Sequence, residues 1–282
     1  MSDRSVIVAD SLGFCAGVER AVGRLKEGAD EARGKGLPCY VYGDIVHNKE
    51  VMASFSSYGI KRIFSPEEAP GPGIVVIRAH GIPDDMRKRF CSSGFTLIDA
   101  TCPVVLRNQE LVRSSDRPVL IIGYPEHAEV RSLAGAAKTD CQVVSSAAEI
   151  ATVDRGLTYN AVLQTTFSDT EYDRIVLKAK EIGLHVRFLN SVCSASRMRR
   201  LAVMRIRSSA DAFVVIGDRM SANTRELAAL ASEAGCRVFS VEKADDLPQD
   251  VFSYDKIGVT AGASTPSAVY NDVIEALRSR NG

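Results

Sequence analysis

The chain has 282 residues, of which 45% are hydrophobic and 25% are charged, a composition typical of a globular protein with a large buried core. Lysine and arginine together number 35, as do aspartate and glutamate, so no excess charge favours a nucleic acid or an anionic membrane as partner. No apolar stretch approaches the roughly 20 residues of a membrane-spanning helix, and the first residues lack the apolar core of a signal peptide. We therefore expect a cytoplasmic protein whose seven cysteines are reduced thiols or metal ligands rather than disulfides.

The first hundred residues alternate between short apolar runs and amphipathic stretches. This pattern predicts a strand, a helix, a second strand, a second helix and a third strand, at residues 6–9, 16–34, 38–46, 51–58 and 74–77. Glycine and proline residues separate these segments. Alternating strands and helices indicate an α/β fold with parallel sheets.

The most distinctive feature is a strand, a cysteine and a helix that occur three times, at about one third of the chain length from one another. The cysteines are Cys15, Cys102 and Cys193. Each third also contains a second apolar run that ends in glycine and a third run that ends in polar residues. We therefore predict three similar α/β modules with a pseudo-threefold arrangement around one central site. Their bounds are residues 1–100, 101–192 and 193–282, and the C-terminal tail is able to pack with the first module.

The three repeated cysteines differ from the other four, which lie at strand starts or after a basic helix, where packing explains them: Cys39, Cys91, Cys141 and Cys236. Three thiolates brought together suit iron-sulfur chemistry or zinc. A structural zinc site requires four protein ligands, and no fourth is evident. The pattern therefore favours a cubane cluster with one iron open to substrate. The alternative of three buried small hydrophobic side chains leaves the repeat unexplained.

Polar side chains occupy the predicted ends of the second and third runs of each module. They are His47, His80, His127, Glu129, Thr165, Ser221, Asn223, Thr260 and Ser264. Imidazole, hydroxyl and amide groups can each donate a hydrogen bond to an anionic oxygen. Since one isolated histidine is usually structural but three at equivalent edges are not, we predict a phosphate or diphosphate site. The sequence has no Walker loop and no GxGxxG motif.

Seven short motifs, spread in order over nearly the whole chain, resemble those of the IspH/LytB family of 4-hydroxy-3-methylbut-2-enyl diphosphate reductases. They are GFCAGVERAV, DIVHN, AHG, DATCPVV, HAEV, QTTFS and TAGAS. The resemblance implies a three-module α/β fold with a 4Fe-4S cluster on Cys15, Cys102 and Cys193. It also implies that the substrate diphosphate is bound by His47, His80, His127, Thr165, Ser221, Asn223 and Ser264.

The resemblance further implies an oxidoreductase of the non-mevalonate pathway of isoprene biosynthesis. Such an enzyme removes the allylic hydroxyl of its substrate by reduction and yields isopentenyl and dimethylallyl diphosphates. Glu129 would be the catalytic acid, acting through Thr165 near His127. Electrons would come from a ferredoxin or a flavodoxin, because no flavin or nicotinamide motif is visible. The basic run at residues 197–207 would suit an acidic carrier, although a solvated helix face is the simpler interpretation.

The sequence departs from the usual pattern of this family at several positions. Ala128 replaces a proline, Ala222 replaces a serine, and Arg78 stands where a serine is common. The stretch CSASRMRR also differs from the usual residues after the third cysteine. These departures leave open a paralogue that acts on another anionic substrate.

Two other classes of function also stay open. One is an iron-sulfur redox sensor without turnover, which would not need the acid Glu129. The other is a zinc hydrolase that uses His47, His80 and His127, although these histidines lack HExxH spacing and leave the cysteine repeat unexplained.

Overall fold

The computed structural model describes residues 4–46 and 48–279, without the side chains of residues 49 and 50. Within these residues, the strands β1 to β12 are Ser5–Val8, Cys39–Tyr42, Lys61–Ile63, Ile74–Ile77, Thr96–Asp99, Val119–Ile122, Cys141–Val144, Thr158–Leu163, His185–Phe188, Ala212–Ile216, Arg237–Val241 and Lys256–Ala261. The α-helices α1 to α10 are Ala16–Lys35, Lys49–Ser57, Asp84–Ser92, Pro103–Arg113, Ala128–Ala134, Ala147–Ile150, Asp169–Glu181, Ser194–Ile206, Ala222–Glu233 and Ser267–Ser279. No helix among the described residues is long and apolar enough to cross a bilayer.

The strands form three parallel four-stranded sheets with the same internal order. The orders are β3-β2-β4-β5, β7-β6-β8-β9 and β11-β10-β12-β1. In each sheet, the strand that precedes a repeated cysteine is an edge strand: β5 lies next to β4, β9 next to β8, and β1 next to β12. The predicted α/β fold with three similar modules is confirmed.

The first strand belongs to a different sheet from the strands that follow it in sequence. β1 pairs in parallel with β12, and Ser5 lies opposite Lys256. The third sheet therefore takes its edge strand from the start of the chain, whereas the other two sheets are each built from one continuous segment. Sequence periodicity predicts this strand but not its partner, because pairing between distant segments leaves no local pattern.

The central strands are buried on both faces, as expected for parallel sheets covered by helices. Every residue of β4, β6 and β10 is buried. The third sheet separates two apolar clusters, one around Val214 and Val259 and the other around Phe213 and Leu227. This packing fixes the strands, and with them the loops at their carboxyl ends, where ligands bind in open α/β sheets.

The chain divides into two compact units. The first contains the described parts of Met1–Val18, Val46–Ala53 and Ser194–Gly282, including the third sheet. The second contains Glu19–Ile45 and Ser54–Cys193, including the other two sheets. The boundaries at residues 100 and 192 remain those predicted from the repeat, and they follow the ends of β5 and β9.

Candidate active site

The three repeated cysteines occupy equivalent positions, each between an edge strand and the helix that follows it. Cys15 lies between β1 and α1, Cys102 between β5 and α4, and Cys193 between β9 and α8. All three are partly buried. This position leaves each sulfur at the carboxyl edge of a sheet, which is where an inorganic group could reach it.

Three of the remaining cysteines have structural surroundings, as the sequence pattern indicates, whereas Cys91 is exposed, so packing does not explain it. Cys39 and Cys141 begin strands β2 and β7, and burial raises the pKa of each thiol to about 11. Burial also raises the pKa of Cys236, whose thiol contacts the backbone oxygens of Arg207 and Ala210. All three pack in or against the apolar core, which explains them without metal ligation.

The turn that carries Cys102 is fixed from several directions. The Cys102 amide donates to the Ala79 carbonyl at 3.0 Å, and Arg20 donates to the Thr101 carbonyl at 2.7 Å. Asp99 accepts from the Thr101 amide at 2.9 Å. Although burial acts to raise it, the pKa of Asp99 is held below its ordinary value by hydrogen bonds from Thr101 and Arg87. These bonds hold Cys102 close to the segment that bears His80.

Glu129 is a buried carboxyl group near the start of helix α5. The helix begins after His127, whose Nδ1 accepts from the Glu129 amide at 3.3 Å, so the histidine side chain caps the helix. Only 1% of Glu129 is exposed. One carboxyl oxygen accepts from the Thr165 amide at 2.8 Å and the other from the Thr165 hydroxyl at 2.6 Å. Glu129 is therefore not a surface glutamate.

Burial raises the pKa of Glu129 to about 7, although the two hydrogen bonds from Thr165 act to lower it. A carboxyl group with this pKa is protonated in a substantial fraction of molecules near neutral pH. It can therefore act as a general acid under conditions in which an ordinary glutamate is ionised.

A continuous series of contacts joins Cys193 to Cys102 within the second unit. The Cys193 amide donates to the Thr165 carbonyl at 3.0 Å, and Thr165 binds Glu129. The rings of His127 and His80 meet edge to face with centroids 5.3 Å apart. From His80 the chain leads back through Ala79 to Cys102. The structure thus brings together four of the predicted polar residues beside two of the predicted ligands.

The backbone next to His80 requires a glycine. Gly81 has a φ of +79°, and a Cβ at this position would lie 2.5 Å from the Ser132 hydroxyl oxygen. Gln109 is buried and donates to this hydroxyl at 2.6 Å and to the Ile82 carbonyl at 3.3 Å. Gln109, through its bond to Ile82, and Ser132, through its close approach to Gly81, therefore hold the His80 segment in place. Local sequence patterns give no indication of this role, because the two side chains come from α4 and α5.

The first unit contains a second group of predicted residues. Ser221 caps helix α9, and Asn223 in the first turn of this helix accepts the Ala263 amide at 2.9 Å through its Oδ1. Ser264 is the next residue after Ala263. This contact fixes the orientation of the side chain, whose Nδ2 group is the part that can donate to an anion. Thr260 is fully buried within β12.

The turn before Cys15 is hydrogen-bonded to the end of strand β12 and to helix α8. The Gly13 amide donates to the Ala261 carbonyl at 3.2 Å, and its carbonyl accepts from Arg199 at 2.6 and 3.2 Å. Arg199 is buried, although the basic run that contains it suggests a solvated face. Arg199 lies four residues before the apolar Val203, and this helical spacing places both side chains on the same, buried face of α8.

His47 lies outside the described residues, so its predicted role in binding remains a prediction. Within the described part of the chain, no three His, Cys, Asp or Glu side chains are close enough to hold a single metal ion. A cubane cluster does not require the three cysteines to bind a single metal ion, because each thiolate binds a different iron atom. The three repeated cysteines are partly buried thiols, and thiolates are the donors that iron-sulfur clusters take.

The model of the LytB protein family matches residues 6–278. The chain belongs to the LytB family. Its LytB relatives include the 4-hydroxy-3-methylbut-2-enyl diphosphate reductase of Treponema denticola, which is 34% identical over 95% of this chain and 97% of its own length. The enzyme of the same name from Solidesulfovibrio magneticus is 36% identical over 96% of this chain and 98% of its own length. The predicted family and its class of oxidoreductases are confirmed.

Solved structures of LytB-family enzymes also resemble this chain. The E-1-hydroxy-2-methyl-but-2-enyl-4-diphosphate reductase from Plasmodium falciparum has a TM-score of 0.90 at 26% identity, over 97% of this chain and 87% of the other. A structure of (E)-4-hydroxy-3-methyl-but-2-enyl diphosphate reductase, described as the terminal enzyme of the non-mevalonate pathway, has a TM-score of 0.70 at 27% identity. It covers 98% of this chain and 99% of its own.

Three of the departures from the usual LytB pattern have defined surroundings in the structure. Ala128 is the first residue of α5, where alanine is a good helix former, and His127 still caps the helix. Ala222 is the buried first residue of α9 and offers no hydroxyl. Arg78 packs over the Tyr42 ring at 5.3 Å, and burial lowers its pKa.

Proposed function

We propose that this LytB-family protein reduces 4-hydroxy-3-methylbut-2-enyl diphosphate to isopentenyl and dimethylallyl diphosphates. The observation that carries the proposal is the buried Glu129, bonded to Thr165, which in turn accepts from the amide of Cys193. This arrangement combines a proton donor with a predicted cluster ligand. Named relatives of similar length support the choice of substrate.

Cys15, Cys102 and Cys193 would hold a 4Fe-4S cluster, one from each predicted module. When bound, such a cluster supplies electrons one at a time and a Lewis-acidic iron that has no protein ligand. Soft thiolates are the appropriate donors for this group. The pseudo-threefold arrangement of the modules around it, with the predicted boundaries, is part of the proposal.

Glu129 would provide the proton that the departing hydroxyl needs. When Glu129 is protonated, its O–H can donate to the Thr165 hydroxyl oxygen, which lies 2.6 Å from the carboxyl group. Thr165 can then pass its own proton to the substrate oxygen, while Glu129 becomes a carboxylate stabilised by the Thr165 amide. The burial that raises the pKa of Glu129 also keeps bulk water from this proton path.

The diphosphate would be bound by neutral donors rather than by lysine or arginine. These donors are His47, His80, His127, Thr165, Ser221, Asn223 and Ser264, as the family resemblance implies. The Asn223 side chain is held through Oδ1, so its amide hydrogens are oriented before substrate binds. Such preorganisation lowers the entropic cost of binding.

A paralogue that acts on another anionic substrate is a second candidate, because Ala222 offers no hydroxyl beside Asn223. Loss of one donor to a charged group weakens binding by about 0.5 to 3 kcal/mol without changing the reaction. An iron-sulfur sensor is a weaker candidate, since a sensor would not need the costly burial of Glu129.

The deciding experiment is purification without oxygen, followed by iron and sulfide analysis and turnover of the allylic diphosphate with dithionite-reduced methyl viologen. We expect about four irons and four sulfides per chain, as a cubane contains, and formation of both products. Zinc without iron would contradict the proposal. A full cluster without turnover of this substrate would favour the paralogue or the sensor.

A further inference from the structure

Helix α8 has two faces of different character. Residues on its inner face are buried, and they are Ser196, Arg199, Arg200, Ala202 and Val203. The outer face exposes three large apolar side chains, Met198 at 46%, Leu201 at 39% and Met204 at 45%. At 100° per residue, these three and the exposed Arg197 and Arg205 fall within an arc of about 120°, and the apolar stripe is about 9 Å long. We call these five residues the α8 surface.

The charge of the α8 surface is positive. Arg205 pairs with Asp10 at 2.5 Å. Arg197 forms no ion pair or hydrogen bond with any other residue that the structure describes. Helix α8 itself contains no acidic residue. An apolar centre beside an uncompensated arginine is typical of a surface that binds an acidic protein.

The inner face of the same helix is attached to predicted cluster ligands. Arg199 donates to the carbonyl of Gly13, which lies two residues before Cys15. The helix also begins at Ser194, the residue directly after Cys193. The α8 surface and the contact with the turn before Cys15 thus lie on opposite faces of the same helix, α8.

We propose that the α8 surface docks the electron donor of this protein, a small acidic carrier of one electron. The inference rests on the proposed reductase function. Each turnover breaks one C–O bond, consumes two electrons and two protons, and releases one water molecule. Two carrier molecules are therefore each oxidised by one electron. Docking on α8 brings the carrier close to two of the three predicted ligands.

The test compares Arg197→Glu and Met204→Glu with the unchanged holoenzyme. The probe is a reduced acidic ferredoxin, with reduced methyl viologen as a donor that needs no docking surface. For each variant we expect the KM for ferredoxin to rise about tenfold and the viologen-driven rate to stay unchanged. Calorimetric titration with oxidised ferredoxin should show the same loss of affinity, and added salt should weaken binding to the unchanged protein more than binding to Arg197→Glu.

Helix α7 provides a matched control, because it also exposes a leucine and an arginine. Leu177→Glu and Arg174→Glu should leave the KM for ferredoxin unchanged. A normal ferredoxin KM in both α8 variants would overturn the inference, as would an equal rise in the α7 variants. If the α8 variants instead separate a dimer in sedimentation and keep their ferredoxin KM, the surface joins two copies of the chain. Absence of viologen-driven turnover in the unchanged protein would count against the proposed function rather than against docking.

Discussion

At the scale of single residues, Glu129 is the most informative position. Glu129→Gln keeps the size of the side chain and an oxygen that accepts the Thr165 amide, but it cannot release a proton. We expect turnover to fall by at least about 10²-fold, the usual contribution of a general acid. Cluster content and substrate binding should be retained, as measured by the visible spectrum and by equilibrium titration. Turnover close to that of the unchanged enzyme would transfer the role of proton donor to His127 or to the substrate diphosphate.

The pH dependence of turnover provides a second measurement of the same role. The pKa of Glu129 is raised from 4.5 to about 7, and the acid form is the one that donates. Activity should therefore be retained below this value and should fall as the pH rises through it. The residual activity of Glu129→Gln should lack this fall, because the amide does not titrate. A pH profile with the same descending limb in both proteins would assign that limb to another group.

Asn223 provides a separate test of the predicted anion site. Asn223→Asp keeps the oxygen that accepts the Ala263 amide but removes the Nδ2 donor and adds a negative charge. Asn223→Ala removes both. Each change should weaken substrate binding by roughly tenfold to a hundredfold, as expected for a lost hydrogen bond to a charged group. Ser264→Ala should act in the same direction, and spectra of the cluster should not change. Unchanged affinity in all three variants would mean that the diphosphate binds elsewhere.

At the scale of elements, the turn between β1 and α1 is tightly constrained. Gly13 has a φ of +74°, and a Cβ there would collide with the Tyr270 ring and lie 3.2 Å from the Thr265 carbonyl oxygen. Gly13→Ala should therefore lower the free energy of unfolding by about 2 to 4 kcal/mol. It should also reduce the iron content, because Cys15 lies two residues further on.

The matched control for this turn is Gly34→Ala, in helix α1. A Cβ at position 34 meets no atom within 4 Å, and alanine is the better helix former. This variant should be slightly more stable than the unchanged protein in chemical denaturation. Equal stability of the Gly13 and Gly34 variants would show that the turn can rearrange at little cost.

At the same scale, the sequence predicts most elements of the first hundred residues well. The predicted strand at residues 74–77 coincides with β4, and the predicted first helix differs from α1 by one residue at its end. The second strand is shorter than predicted, since β2 ends at Tyr42. Gly43, with a φ of +66°, follows β2 and ends the extended segment.

At the scale of the whole molecule, the repeat predicts that three cysteines act together and four do not. Cys15→Ser, Cys102→Ser and Cys193→Ser should each lose the cluster and nearly all activity, because a hydroxyl is a poor substitute for a thiolate ligand. Serine at Cys39, Cys91, Cys141 or Cys236 should cost only modest stability. Iron analysis of the seven proteins, purified without oxygen, tests this division. Full iron content in Cys102→Ser would contradict it.

The sequence by itself determined the α/β class, the three modules and the candidate residues of the site. The strands are short apolar runs and the helices have apolar stripes, and both are local patterns that survive in the sequence. Parallel strands place the residues that follow them at one edge of a sheet, so the polar ends of the runs and the three cysteines could be predicted as candidates. The seven motifs then supplied the family.

Only the tertiary structure decided which of these residues meet and in what state. The pairing of β1 with β12 joins the two ends of the chain, and no local pattern encodes it. The same is true of Glu129, whose burial depends on packing around Thr165 and gives the carboxyl group a pKa of about 7. The basic run after Cys193 divides into the buried Arg199 and the exposed Arg197 because only one side of α8 packs against the protein. Each of these features depends on contacts between residues far apart in sequence, and such contacts exist only after the chain has folded.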